Sequence, residues 1–113
     1  MEDCLFCKIV ANEIPTKKIY EDDKVLAFGD INPQAPVHIL IIPKKHIARL
    51  DDVREEDCAL LGHIQLVASK LAEDNKLFDG YRFVNNCGID GGQTVRHLHY
   101  HLLGGRTFGW PPG

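Results

Sequence analysis

The residues whose types and spacing most suggest chemistry are three alternating histidines, His97, His99 and His101. Successive side chains of a β-strand point to opposite faces, so a strand over 96–103 would place three imidazoles on one face, about 6.6 Å apart. Neutral imidazole is a nucleophile near pH 7, because its ordinary pKa is about 6.5, and it also binds transition metals. The motif alone therefore leaves two interpretations open, a metal site on a sheet and a reactive histidine face.

The loop directly before the triad favours the reactive face. Residues 86–94 contain three glycines together with Asn86, Gln93 and Thr94. Glycine amides, carboxamides and a hydroxyl are neutral donors that surround a phosphate without a steric barrier. A histidine face beside such a loop suits phosphoryl chemistry, in which imidazole attacks phosphorus and neighbouring donors stabilise the developing charge.

The triad, followed by two leucines, resembles the pattern of the histidine triad (HIT) family, His-x-His-x-His and two apolar residues. Further matches extend over nearly the whole chain. They are Cys4-x-x-Cys7, Ile14-Pro15, residues 28–31, 33–38, 43–47 and 91–94, and the terminal Trp-Pro-Pro-Gly at 110–113. This combination resembles the nucleotide-binding (Hint) branch more than the diadenosine-polyphosphate hydrolase branch.

The resemblance implies a purine nucleoside phosphoramidase, a nucleotidyl hydrolase that acts at the α-phosphorus. His99 looks like the nucleophile that forms a nucleotidyl-histidine intermediate, and His101 and His38 resemble the phosphate-side residues that orient it. Thr94 stands where many relatives have serine, and its hydroxyl would donate to a leaving amine. Asp30 resembles the carboxylate that accepts both ribose hydroxyls. The resemblance further implies Ile9, Ile14, Phe28, Gly29 and Ile31 at the base, and Asn86, Gly92 and Gln93 at the phosphate and leaving group.

Two other functions remain open at this point. One is cleavage of dinucleoside polyphosphates, and the other is a nucleotide-binding regulatory protein whose turnover is incidental. The triad with Gln93 and Thr94 favours an enzyme, because a pure binder has no use for a neutral imidazole aligned on phosphorus. For the apolar residues of the base pocket, an ordinary place in the core is an equal alternative.

The pair Cys4 and Cys7 has a spacing common in zinc sites, but such a site needs two more ligands. In a reducing compartment such a pair is either metal-binding or redox-active. The resemblance implies His46 and His97 as the other two ligands of a structural zinc, which would keep His97 out of acid–base chemistry. No organic cofactor is expected. Cys58 and Cys87 are predicted to be free thiols.

Composition limits the remaining classes. A chain of 113 residues is the size of one domain, here 1–113, and its net charge of −3 offers no basic surface for nucleic acid. Its apolar runs are far shorter than the ~20 residues that span a bilayer. The acidic N-terminus lacks the order of a signal peptide, so we expect a cytoplasmic protein without membrane contact.

The element pattern predicts an α+β protein with a meandering antiparallel sheet of about five strands, and the resemblance implies a HIT-like fold. Strands are expected at 19–21, 24–28, 37–42, 81–85 and 96–103, with a short helix over 5–11. One long helix is predicted over 53–75, with Asp52 and Glu55 as a capping box.

A homodimer is the expected assembly, and the resemblance implies one joined through sheet and helix. Trp110, the one tryptophan, lies between glycine and two prolines near the chain end, where it has little local core to join. We expect residues 108–113 to approach the active site of the partner chain, with a tail folded on its own subunit as the alternative.

Overall fold

A computed structural model describes residues 3–113. The elements in chain order are α1 (Leu5–Val10), β1 (Lys18–Glu21), β2 (Val25–Gly29), β3 (Val37–Pro43), α2 (Cys58–Asp74), β4 (Tyr81–Asn85) and β5 (Tyr100–Gly104). The strands form one antiparallel sheet in the order β1-β2-β3-β5-β4. The predicted α+β architecture, with a short N-terminal helix and one long helix, is confirmed.

The central strand β3 is buried on both faces because its residues 39–42 are four apolar side chains in succession. Ile39 and Ile41 point toward α2 and join the larger core cluster. Leu40 and Ile42 point the other way, where they pack with Phe6 of α1. Helix α2 therefore covers one face of the sheet and α1 part of the other.

Helix α2 begins at Cys58, so the prediction that it starts at Val53 is wrong. Residues 50–52 and 55–57 instead form two short 3₁₀ turns. The predicted cap at Asp52 is also wrong, because Asp57 is the residue that precedes the helix, and its side chain makes no capping hydrogen bond to α2. Its carboxylate instead accepts the Arg54 amide at 2.9 Å and the Lys45 ammonium at 2.7 Å, which ties it to the preceding 3₁₀ turn and to Lys45.

The last strand begins at Tyr100, so the prediction that it starts at Arg96 is wrong as well. The backbone bends at 95–97, and the Leu98 amide donates to the carbonyl of Ile47 at 2.6 Å rather than to a neighbouring strand. Side chains still alternate, since Leu98, Tyr100 and Leu102 all lie in the core beneath α2. The histidines therefore point to the opposite side, as predicted.

The crossover through α2 determines which strand lies at the edge. It carries the chain past β3 so that β4 becomes the outer strand, and β5 returns between β3 and β4. β5 is thus held on both sides, with Leu40 opposite His101 on β3 and Val84 opposite it on β4. Within residues 3–113 no helix is long and apolar enough to cross a bilayer.

Candidate functional site

The three triad histidines line one side of the sheet, as predicted. His97 and His99 are buried, with 0% and 3% of their surface exposed, and His101 is half-buried. The ring of Phe6 meets His97 and His99 edge-on, with centroids 5.9 and 5.1 Å away. Sequence reasoning missed Phe6, whose place between the two cysteines of Cys4-x-x-Cys7 was the available signal. It closes the triad face against α1.

The ring of His99 has one possible neutral tautomer. Its Nδ1 lies 2.7 Å from the backbone oxygen of His97. A carbonyl oxygen only accepts hydrogen bonds, so Nδ1 carries the proton and Nε2 keeps a free lone pair. Burial lowers the pKa of His99, although the bond to His97 opposes this. The ring is therefore neutral near pH 7, with Nε2 as a nucleophilic nitrogen.

A second chain of contacts leads from the β2–β3 turn to His101. The backbone amide of Gln34 donates to Nδ1 of His38 at 3.0 Å, so the proton of neutral His38 is on Nε2. That nitrogen lies 2.9 Å from Nδ1 of His101 and 3.5 Å from Oδ2 of Asp30. If it donates to His101, the proton of His101 is on its own Nε2, available to a ligand.

Asp30, His38 and His101 also lie close enough together to suggest a metal site. The hydrogen-bond pattern disfavours that interpretation. His38 would have to ligate through Nε2, which carries its proton while Nδ1 accepts from Gln34. The arrangement suits a hydrogen-bonded relay instead. Burial, with the neighbouring His99 and His38, lowers the pKa of His101 to about 4, which keeps the His101 ring neutral near pH 7.

Four other ligand atoms converge at the start of the triad. Nδ1 of His97 lies 3.3 Å from Sγ of Cys4, 3.5 Å from Sγ of Cys7 and 3.2 Å from Nδ1 of His46. Sγ of Cys7 and Nδ1 of His46 are 3.2 Å apart. Nitrogen and sulfur ligands at about 2.0 to 2.3 Å from a tetrahedral ion are separated by distances of this size. The four predicted ligands are thus brought together.

The protonation state of this cluster fits a cation. Nε2 of His97 donates to the Pro43 carbonyl at 2.8 Å, which leaves Nδ1 unprotonated and facing the two cysteines. Burial and the neighbouring Cys4 raise the pKa of the Cys7 thiol to about 11. Two adjacent thiolates need a positive charge between them, and a bound metal supplies it. Cys58 and Cys87 are free thiols, as predicted.

The loop before the triad uses its predicted donors differently from the expectation. The Gln93 carboxamide accepts from the Gly88 amide at 3.0 Å and donates to the carbonyls of Ala48 and Val95 at 2.7 and 2.9 Å. The amides of Gly92 and Gln93 bond within the loop. Gln93 therefore fixes the loop in this structure, and its donors are already satisfied. The sequence shows which residues can donate hydrogen bonds, but it does not show which of these donors already have a partner within the protein.

Two glycines permit this tight loop. A Cβ atom on Gly91 would come within 2.5 Å of the Cys87 carbonyl oxygen, and Gly92 has a φ of +80°. Both positions favour glycine for backbone reasons alone. Thr94 follows them with an exposed side chain, and it lines a cavity of about 530 Å³ together with Cys4 and His46. Asn86 is half-buried at the start of the loop.

The predicted base pocket divides into buried and open residues. Ile9 and Phe28 belong to the core cluster around Phe6, which is the alternative that the sequence left open. Ile14 packs against that cluster, while Gly29 and Ile31 are exposed. The set therefore offers a buried apolar floor and an exposed rim beside Asp30.

The C-terminal tail packs on its own chain as far as Phe108. The guanidinium groups of Arg82 and Arg106 stack on that ring at 5.2 and 4.2 Å from its centroid, and Arg82 donates to the carbonyl of Gly109. Trp110 projects from this anchor with 85% of its surface exposed. Phe108 thus fits the alternative of a tail folded on its own subunit.

Comparison with known proteins agrees with this arrangement. A family model described as HIT domain matches residues 11–108. A HIT-like protein of Synechocystis is 55% identical over 112 residues, which cover 99% of this chain and 98% of the relative. A HIT-like protein of Synechococcus elongatus is 56% identical over 112 residues, which again cover 99% of this chain and 98% of the relative.

Solved structures give the same result. A HIT family hydrolase from Legionella pneumophila superposes with a TM-score of 0.96 at 55% identity, covering 98% of this chain and all of that one. A histidine triad nucleotide-binding protein from Candida albicans superposes with a TM-score of 0.82 at 37% identity, covering 98% of this chain and 85% of that one. The chain belongs to the HIT family.

Proposed function

We propose that this protein is a purine nucleoside phosphoramidase, a nucleotidyl hydrolase that acts at the α-phosphorus through a covalent bond to His99. The observation that carries the proposal is the fixed tautomer of His99. The bond from Nδ1 to the His97 carbonyl leaves a neutral Nε2 with a free lone pair. A neutral nitrogen held in one orientation is what in-line attack on phosphorus requires.

The reaction has two displacement steps. His99 Nε2 forms a bond to the α-phosphorus while the bond from phosphorus to the amine breaks, and the departing nitrogen takes a proton from solvent through the Thr94 hydroxyl. Water then attacks the same phosphorus and gives up a proton to solvent, the bond to His99 breaks, and the nucleoside monophosphate is released. In the intermediate the imidazole carries a positive charge, which the His97 carbonyl stabilises through Nδ1. Burial of the ring disfavours that charge and so keeps the intermediate labile.

The relay residues act on the phosphate oxygens. His38 donates to His101, and His101 then presents its Nε2 proton to a non-bridging oxygen of the substrate. A donor placed before the charge develops lowers the barrier without reorganisation. Thr94, with an exposed hydroxyl, is assigned to the departing nitrogen. Asn86 is assigned to the phosphate.

Asp30 and the apolar residues near it are assigned to the nucleoside. The Asn32 amide holds Oδ1 of Asp30 at 2.8 Å, and Oδ2 is left to accept ribose hydroxyls. Ile14, Gly29 and Ile31 form the rim of the base site, above the buried Ile9 and Phe28. A carboxylate only accepts hydrogen bonds, so it favours a ribose with free hydroxyls.

The test of the main proposal is incubation with adenosine 5′-phosphoramidate, followed by product analysis and intact-mass measurement. We expect release of adenosine monophosphate and, after rapid quenching, a mass increase of one adenylate on the chain. His99→Asn is the control and should show neither. A wild-type protein that binds the nucleotide without turnover would contradict the proposal and favour a binding role.

We also assign a structural zinc to Cys4, Cys7, His46 and His97. Two thiolates and two imidazoles are the ligands that structural zinc prefers, and the four ligand atoms fit a tetrahedral shell. A zinc ion there would join α1 to the end of β3 and to the triad segment without taking part in the reaction. His97 would then serve as a ligand and not as an acid or base.

Metal analysis tests this assignment. Purified protein should carry about one zinc per chain. The double variant Cys4→Ser with Cys7→Ser should lose the metal and melt at a lower temperature but keep appreciable phosphoramidase activity, whereas Cys58→Ser should change neither. A metal-free wild-type protein of full stability would contradict the ligand set.

The proposed assembly is a homodimer. Strands β1 and β4 are the two edge strands of the sheet, and an edge strand is a surface that a second copy can pair with. Trp110 is exposed next to a tail anchored by Arg82 and Arg106. We propose that it lies near the leaving-group side of the partner's active site.

A further inference from the structure

The pairing between β4 and β5 reaches Tyr100 but does not include His99, the residue next to it. Its last pair is Asn85 with Tyr100. The residue that carries the reactive nitrogen therefore lies just outside the regular sheet, where backbone hydrogen bonds between strands no longer fix its position. Something else must hold the segment 97–99 in place.

From the side of β3, two contacts hold this segment. Nε2 of His97 donates to the Pro43 carbonyl at 2.8 Å, and the Leu98 amide donates to the Ile47 carbonyl at 2.6 Å. From the side of β4, the contact is a side chain. Nδ2 of Asn85 donates to the His99 carbonyl at 3.0 Å. Asn85 thus takes the place of the next rung of the ladder.

This contact fixes which way the Asn85 carboxamide points. The His99 carbonyl only accepts, so the nitrogen of Asn85 must face it. Its Oδ1 is then buried, and among residues 3–113 it has no hydrogen-bond partner. A buried polar atom without a partner destabilises a fold. An apolar side chain of similar size would remove this unpaired atom but would also leave the His99 carbonyl without its donor, so stability alone does not decide the role of Asn85.

We propose that Asn85 is a positioning residue for His99: by holding its carbonyl from the β4 side, it fixes the direction in which Nε2 points. The effect of Asn85 on the reaction rate rests on the proposed function of His99, whereas its effect on the orientation of the His99 ring does not. A structural role requires that replacing Asn85 lowers stability. A positioning role requires that it also lowers the rate of attack and changes the surroundings of the His99 ring, which a loss of stability in a protein that stays folded does not do.

The test compares Asn85→Leu and Asn85→Asp with Asn75→Leu. Asn75 is a matched control, since its Nδ2 donates to the Leu71 carbonyl at 2.8 Å at the end of α2, away from the histidines. In Asn85→Leu we expect a protein that stays folded at the assay temperature, a kcat lowered by about tenfold or more, and a KM within about twofold of wild type. Asn85→Asp, which keeps the size but loses the donor, should also lose kcat. Asn75→Leu should lower only the melting temperature.

Nitrogen-15 spectra of the His99 ring separate this proposal from the proposed function. Asn85→Leu should change the ring signals and Asn75→Leu should not. A wild-type protein without turnover would defeat the proposed function, and these spectra alone would then decide the role of Asn85. The positioning role is overturned if a folded Asn85→Leu protein has a kcat within about twofold of wild type. With an inactive wild type, an unchanged His99 spectrum overturns it.

Discussion

Asp22 with His63 and Asp30 with His38 are the same pair of residue types in two different surroundings. Asp22 accepts four hydrogen bonds, from the Tyr20 hydroxyl and His63 Nε2 at 2.6 Å each and from the amides of Lys24 and Val25 at 2.8 Å each. Burial alone would raise its pKa, but these four bonds hold the pKa of Asp22 well below its usual range. The pair joins α2 to the β1–β2 hairpin.

Asp30 is less fully bonded. It accepts the Asn32 amide at 2.8 Å, and its second oxygen lies 3.5 Å from His38. The side chain of His38 is 5% exposed, against 35% for His63. In the proposed function, spare hydrogen-bonding capacity in a buried place, more than residue type, is what distinguishes the reactive pair from the structural one. The carboxylate of Asp22 can accept few further hydrogen bonds from a ligand, whereas that of Asp30 can still accept them.

The largest expected difference concerns the histidines. His99→Asn should lower turnover of adenosine 5′-phosphoramidate by about a thousandfold or more, because the nucleophile is lost, while adenosine monophosphate still binds. His63→Asn should leave turnover within about twofold and lower the melting temperature, since it only breaks the bond to Asp22. Steady-state kinetics with calorimetric binding decides this. Activity above about a tenth of wild type in His99→Asn would exclude covalent catalysis by this residue.

Much of this site was predictable because strand alternation is a local rule. The spacing of His97, His99 and His101 was enough to place them on one side of the sheet. The tautomer of His97 was not predictable, because it depends on a carbonyl that the fold brings near. The Pro43 oxygen that orients His97 comes from another strand, 54 positions away in the chain.

The element ends and the loop donors escaped prediction for related reasons. Asp52 and Asp57 are both acids before an apolar run, and the contact of Asp57 with Lys45 depends on tertiary structure. The Gln93 side chain can donate in any fold, but its bonds to Ala48 and Val95 arise from tertiary structure. Ile9 and Phe28 were equally suited to a pocket or a core, and the structure buries both in the cluster around Phe6.

The aspartates give the next largest difference. Asp30→Asn should weaken binding of a ribonucleotide by about 1.5 to 3 kcal/mol and leave its 2′,3′-dideoxy analogue nearly unaffected, because only the ribonucleotide donates to the carboxylate. Asp22→Asn should leave both affinities unchanged and destabilise the fold by about 1 to 3 kcal/mol. Calorimetric titration and urea unfolding measure the two effects. Equal losses for the two ligands would remove Asp30 from the ribose site.

The same comparison extends to pH. The pKa of His101 is lowered to about 4, so the unfolded chain takes up this proton first, and stability falls as pH drops from about 6.5 to 4. One such group contributes a slope of up to about 1.4 kcal/mol per pH unit. The pKa of Asp22 is also lowered, but its contribution is present above its ordinary pKa and is lost only in more acidic solution.

Urea unfolding across pH separates these two windows. His101→Gln should flatten the slope between about pH 6.5 and 4, whereas Asp22→Asn should change the profile only below about pH 4. The wild-type profile serves as the reference for both variants. An unchanged slope in His101→Gln would show that this ring is not held neutral by burial.

The smallest expected effect on stability is in the tail. Phe108 lies between two guanidinium groups, and such a contact contributes about 0.5 to 1 kcal/mol, so Phe108→Leu should lower stability slightly. Trp110 is exposed, so Trp110→Ala should leave the melting temperature within about 1 °C of wild type.

If the tail serves the partner's site, Trp110→Ala, like truncation after Arg106, should still change the preference between small and bulky leaving amines by about threefold or more. Sedimentation should show a dimer at micromolar concentration. A monomer, or unchanged selectivity in both variants, would leave Trp110 without a role across the dimer.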